Sequence, residues 1–120
     1  MKNYQRLDIW NQGIQIVKLT YNLAGMLPTD ERFGLVSQMT RAAVSIPANI
    51  AEGSSRNSDK DKARFLQISL GSAFELETYL VLIKEMKLVA VDFSQLEDLL
   101  KTEMRMIQSF IRRLNKGDAV

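Results

Sequence analysis

The sequence predicts an all-α fold, an antiparallel up-down-up-down four-helix bundle. Three observations predict it. Apolar residues recur every three or four positions through four separate stretches. No stretch shows the period-two alternation of a half-buried strand. Turn-forming residues fall between the stretches, with Pro47 as the one breaker inside a helical pattern. The chain has 120 residues, the size of one domain, so 1–120 is read as a single bundle with helices at about 8–27, 30–53, 59–87 and 94–115.

The first helix opens with Asp8 as N-cap and closes before Pro28. Trp10, Ile14, Val17, Tyr21 and Ala24 form one apolar stripe; Ile9, Ile16, Leu23 and Leu27 form an adjacent one. Together they are wider than the ~100° a simple bundle face needs. Either the helix is deeply inserted or one stripe faces another subunit. In the second helix, Asp30 and Glu31 suit the positive helix start. Leu35, Met39, Ala42, Ala43, Ile46 and Ile50 face the core, and Gly53 is expected just past the end. Pro47 removes the donor to the Ala43 carbonyl and should kink the helix.

Ser54 to Ser58 has turn composition, and Ser58 with Asp61 resembles a capping box. The third helix is the most apolar. Phe65, Leu66, Ile68, Leu70, Phe74, Leu76, Tyr79, Leu80, Leu82, Ile83 and Met86 leave little polar surface, which is expected of a central or interfacial helix. Gly71, Ser72 and Ala73 permit a close neighbour. Ser94 and Glu97 have capping-box spacing at the start of the fourth helix. Its core face is Leu96, Leu100, Met104, Ile107, Ile111 and Leu114, and Gly117 lies beyond its end.

Composition narrows the chemistry. There is no cysteine, hence no disulfide and no thiolate; a reducing compartment fits. There is no histidine, which removes the commonest general base and the commonest metal ligand together. No stretch is read as approaching the ~18 apolar residues of a membrane span, and Met1 to Arg6 is too polar for a signal peptide. A cytoplasmic location is therefore expected, with no membrane partner. Net charge is +2, from 16 basic and 14 acidic residues, so polyanion affinity must come from clustering.

Three features could carry function. Gln38, Arg41, Ser45, Asn49 and Glu52 share one face of the second helix. Folding the third helix back brings Glu75 or Glu77 to the level of Arg41. The stripe reads as an internal polar seam around Pro47, since Asn, Ser and Glu without His or Cys make no recognisable mechanism. The carboxylates come second. Glu75 and Glu77 do not share a face, and Asp59, Asp61, Glu97 and Asp98 sit at helix starts, where the macrodipole explains them. The third feature is basic. Lys101, Arg105, Arg112 and Lys116 fall within about 60° on the fourth helix, beside Arg113, pointing away from the core. A symmetric oligomer would repeat this stripe and could bind phosphates without sequence preference. No catalytic residue, metal site or cofactor site is read.

The run Ser37-Gln38-Met39, then Arg41 through Gly53, resembles the signature of the four-helix proteins encoded in intervening sequences of bacterial 23S rRNA genes. Phe33-Gly34-Leu35, Arg64-Phe65-Leu66, Gly71-Ser72, Glu75-Leu76-Glu77 and the opening Leu7 to Trp10 extend the match along nearly the whole chain. The same superfamily holds the accessory variability determinant of diversity-generating retroelements. The resemblance implies a homopentamer and, from that relative, a basic surface contacting RNA, DNA or a nucleic-acid-bound protein. It brings no catalytic residues. Two positions depart from the family pattern: Thr40, where a second basic residue is frequent, and Gly13, where Ala is usual and Gly costs about 1 kcal/mol of helix propensity. The expected function is a non-enzymatic helical scaffold touching nucleic acid; the alternative is a protein-interaction module without that affinity.

Overall fold

A computed structural model describes residues 3–117, so the outermost ends of the expected domain lie outside it. The four long helices are α1 (Asp8–Ala24), α2 (Ser37–Ser54), α3 (Asp59–Glu85) and α4 (Ser94–Asn115), with no strand among the described residues. A 3-10 turn, Tyr4–Arg6, precedes α1. A second, Thr29–Glu31, and a wide π turn, Arg32–Val36, lead into α2. Each helix packs on the next, and α4 returns to α1. The particle measures 45 × 23 × 20 Å.

In the α2–α3 and α1–α4 pairs, residue numbers rise on one helix as they fall on the other. Ser45 meets Ser72, Ile46 meets Ser69, and Gly53 meets Phe65. Gln12 meets Met106, while Leu23 lies beside Leu96. The start of α1, the α2–α3 connection and the end of α4 therefore share one end of the particle.

The core follows the expected periodicity on α2 and α4. Met39, Ala42, Ala43, Ile46 and Ile50 are buried, as are Leu96, Leu100, Met104, Ile107, Ile111 and Leu114. On α1 the structure favours the second stripe: Ile9, Ile16, Leu23 and Leu27 are buried, whereas of the first only Ala24 is buried, Trp10, Ile14 and Val17 are half-buried and Tyr21 is 54% exposed. On α3, Leu66, Leu70, Leu76, Leu80 and Ile83 turn inward. Ile68, Phe74, Val81 and Leu82 remain 41–50% exposed. That outer face explains a departure from expectation. An 18-residue window of α3 has a mean hydropathy of 1.2 and is long and apolar enough to cross a membrane, yet only 39% of it is buried inside the bundle.

Helix ends differ from the sequence reading where caps compete. Ser58 caps α3 as expected, accepting from the Asp61 N–H at 3.1 Å. At α4 the capping box does not form. Phe93 is the N-cap, the Ser94 N–H donates to Asp92 Oδ1 at 2.8 Å, and Glu97 turns to Lys84 at 2.9 Å. At α1 the N-cap is Leu7, and Asp8 is the first helical residue. Gly53 lies inside α2 and does not terminate it. Its missing side chain admits Phe65, whose Cβ is 3.0 Å from where a Gly53 Cβ would stand. Gly117 follows α4 with φ +74, the left-handed residue expected there.

Candidate functional site: a segregated charge distribution and a buried carboxylate

The expected polar seam is largely external. Gln38, Arg41, Glu52 and Glu75 are exposed. Glu75 accepts from the Tyr79 hydroxyl at 3.1 Å and is not paired with Arg41; Glu52 pairs with Arg56 at 3.3 Å. Arg41 borders a shallow hollow with Tyr21, Val44 and Ala48. Ser45 and Asn49 are half-buried, and Ser45 reaches α3. Asn49 Nδ2 donates to the Ser45 carbonyl and hydroxyl at 2.9 and 2.8 Å, and Ser72 donates to Ser45 Oγ at 2.7 Å. The pairing of Arg41 with Glu75 or Glu77 does not form among the described residues, and Ser45 meets α3 through the Ser72 hydroxyl. Fully buried Ser69 extends the set, donating to the Ile46 carbonyl at 2.9 Å.

The polar group at the centre of the bundle is Glu103, unexposed on α4, and neither carboxylate oxygen has a hydrogen-bond partner. Burial pushes its pKa up to about 8. It faces the crossing of α1 and α2: a Cβ on Gly13 would lie 3.1 Å from Pro47 Cβ and 3.3 Å from Glu103 Oε2. Gly13 is thus the residue that lets α1 close over the Pro47 ring. Glu103 was missed by the sequence reading. Its position, three residues after Leu100 and four before Ile107, is a core position of α4 and was the available signal.

The five basic residues expected on α4, Lys101, Arg105, Arg112, Arg113 and Lys116, are all exposed. They do not form one patch. Fifteen residues of helix put Lys101 about 22 Å from Lys116 along the axis, and Lys101 sits beside Glu77 and Glu97. A shared angular arc had concealed that axial distance. The fold instead gathers cations at the end where α1 starts, α2 meets α3 and α4 stops. Residues 3–12, 50–66 and 105–117 hold nine basic residues (Arg6, Arg56, Lys60, Lys62, Arg64, Arg105, Arg112, Arg113, Lys116) against four acidic ones. The remaining described residues hold six basic against nine acidic. Phe65 is flanked at this end by the guanidinium groups of Arg56 and Arg64, 4.5 and 4.4 Å from its ring centroid. An open cavity of about 350 Å³ lies between the start of α1 and the end of α4, with Arg6, Asp8, Ser109, Phe110 and Arg113 on its walls. Among the described residues, no group of three or more Asp or Glu residues could hold a metal ion.

These features can be set beside known proteins. A crystal structure of a protein with unknown function from the S23 ribosomal protein family of Bacteroides thetaiotaomicron superposes with a TM-score of 0.78. It is 23% identical and covers 87% of this chain and 95% of its own, a likeness of fold. No curated protein is a significant match. The sequence profile of the 23S rRNA-intervening sequence protein family matches residues 5–109, and the chain therefore belongs to that family.

Proposed function

We propose that the protein is a non-enzymatic, homo-oligomeric, cytoplasmic scaffold that contacts nucleic acid, or a protein carrying it, through a basic surface. The scaffold is one antiparallel up-down-up-down bundle bent at Pro47. Charge segregation carries this reading. A net charge of only +2 is redistributed by folding into a basic end and an acidic remainder. The family takes its name from 23S rRNA intervening sequences, so RNA is the first polyanion to test. Binding of single-stranded RNA measured against salt should weaken steeply as salt rises. Changing Arg105, Arg112 and Lys116 to Glu together should abolish it; unaltered affinity in that variant would remove the basic surface from the reading.

The outer face of α3 supports self-association. Ile68, Phe74, Val81 and Leu82 are exposed, and Gly71 among them has open space where a Cβ would stand. Light scattering should return a multiple of 13.7 kDa, fivefold for the pentamer that the family resemblance implies. A monomer at micromolar concentration would contradict this part. The same apolar face favours a second reading, a protein-interaction module without polyanion affinity. RNA binding at physiological salt would count against that alternative.

A further inference from the structure

We propose that the cavity between the start of α1 and the end of α4 is a phosphate-binding site, and that a phosphodiester of a nucleic-acid strand occupies it. The inference rests on the proposed nucleic-acid role and gives it a location. Arg6 reaches the cavity from the turn before α1, and Arg113 from the last turn of α4. Two arginines from distant parts of the sequence thereby line one opening of about 350 Å³, ample for a phosphate group. Arg113 is held in place by the Phe110 ring, 5.1 Å from its guanidinium carbon, so part of its ordering is complete before any anion arrives. The hydroxyl of Ser109 adds a donor on the same wall.

One carboxylate, Asp8, also lines the cavity. It leaves the opening singly positive, which fits a singly charged phosphodiester better than a dianionic phosphate monoester. The planar forks of two arginines match phosphate oxygens in a way lysines would not. Phe110 and Met106 close the apolar side, so an anion there has less water to compete with.

The test uses the full chain and a 20-nucleotide single-stranded RNA labelled at its 3′ end. Anisotropy titrations across a salt series compare wild type, Arg6→Gln with Arg113→Gln, and the control pair Lys18→Gln with Lys87→Gln, both exposed and outside the basic end. The first pair should lower the slope of log affinity against log salt by about 0.7, the loss of one phosphate contact on a single strand. The control removes the same charge elsewhere and should leave the slope unchanged. Equal slopes in wild type and the Arg6/Arg113 variant would overturn the site while leaving the broader reading intact. Absence of RNA binding by wild type would overturn both. Sodium phosphate replacing chloride at equal ionic strength should not displace the strand. Displacement from wild type, but not from the variant, would place strand and free anion in competition for this cavity and overturn only its preference for a phosphodiester over free phosphate.

Discussion

Substituting Glu103 by Gln should make the protein more stable, and increasingly so as pH rises. The unfolded carboxyl has a pKa of 4.5 and the buried one about 8. Between those values the unfolded chain gives up a proton that the folded chain keeps, so ionisation favours unfolding. Stability is complete below pH 4.5 and is lost progressively as pH rises towards 8. At ~1.4 kcal/mol per pKa unit, the loss is about 3 kcal/mol at pH 7 and about 5 kcal/mol above pH 8. Glutamine keeps the shape and cannot ionise, so wild type and variant should coincide near pH 4.5 and diverge by those amounts. Urea unfolding at fixed protein concentration, followed by the fluorescence of Trp10, the sole tryptophan, measures the difference directly. The absence of histidine clears the window, leaving the α-amino group as the other ordinary titration between pH 5 and 8. A wild-type-minus-variant difference that is the same at pH 5 and pH 8.5 would refute the reasoning, because it would mean that Glu103 keeps one charge state throughout.

Three further substitutions test the packing. Gly13→Ala should lose about 1 kcal/mol despite the better helix propensity of Ala, because the new methyl meets the rigid Pro47 ring at 3.1 Å; raised stability in urea unfolding would show that α1 can retreat. Gly53→Ala should cost about 1–2 kcal/mol, since the methyl has Phe65 Cβ at 3.0 Å and the Lys62 backbone carbonyl at 3.3 Å; an unchanged thermal midpoint would count against that contact. Ser69→Ala should cost about 1 kcal/mol by removing the buried bond to the Ile46 carbonyl, and hydrogen exchange should quicken around Ile46; unaltered exchange would show that the bond is dispensable.

Helix number and the core faces of α2 and α4 were legible because each is an intrahelical property: one periodic stripe, one buried face. The two stripes of α1 were not separable that way. Burying Ile16 and leaving Tyr21 outside depends on where α2 and α4 stand, which Gly13 and Pro47 decide at their crossing. Gln38, Arg41 and Glu52 were placed inside because they share a helix face with Ser45 and Asn49. The structure splits that face, leaving Ser45 and Asn49 half-buried, with Ser45 bonded to α3, and the long side chains in water. Ser94 failed as a cap because Asp92, two residues earlier, competes for its N–H. The basic end was least legible of all, since Arg6 and Arg113, far apart in the sequence, line one cavity only after the chain has folded back on itself.

That folding back also makes the molecule an electric dipole. Its positive pole lies at one extremity of a 45 Å rod whose remaining length is net negative. In the field of a polyanion such a body feels a torque as well as a pull. It would turn before any landing, with the Arg6–Arg113 extremity foremost. The same dipole acts between copies. Rods packed side by side in the same direction bring like poles together, and dissolved salt relieves that repulsion. Raising salt would then strengthen a parallel assembly while weakening its grip on a charged strand.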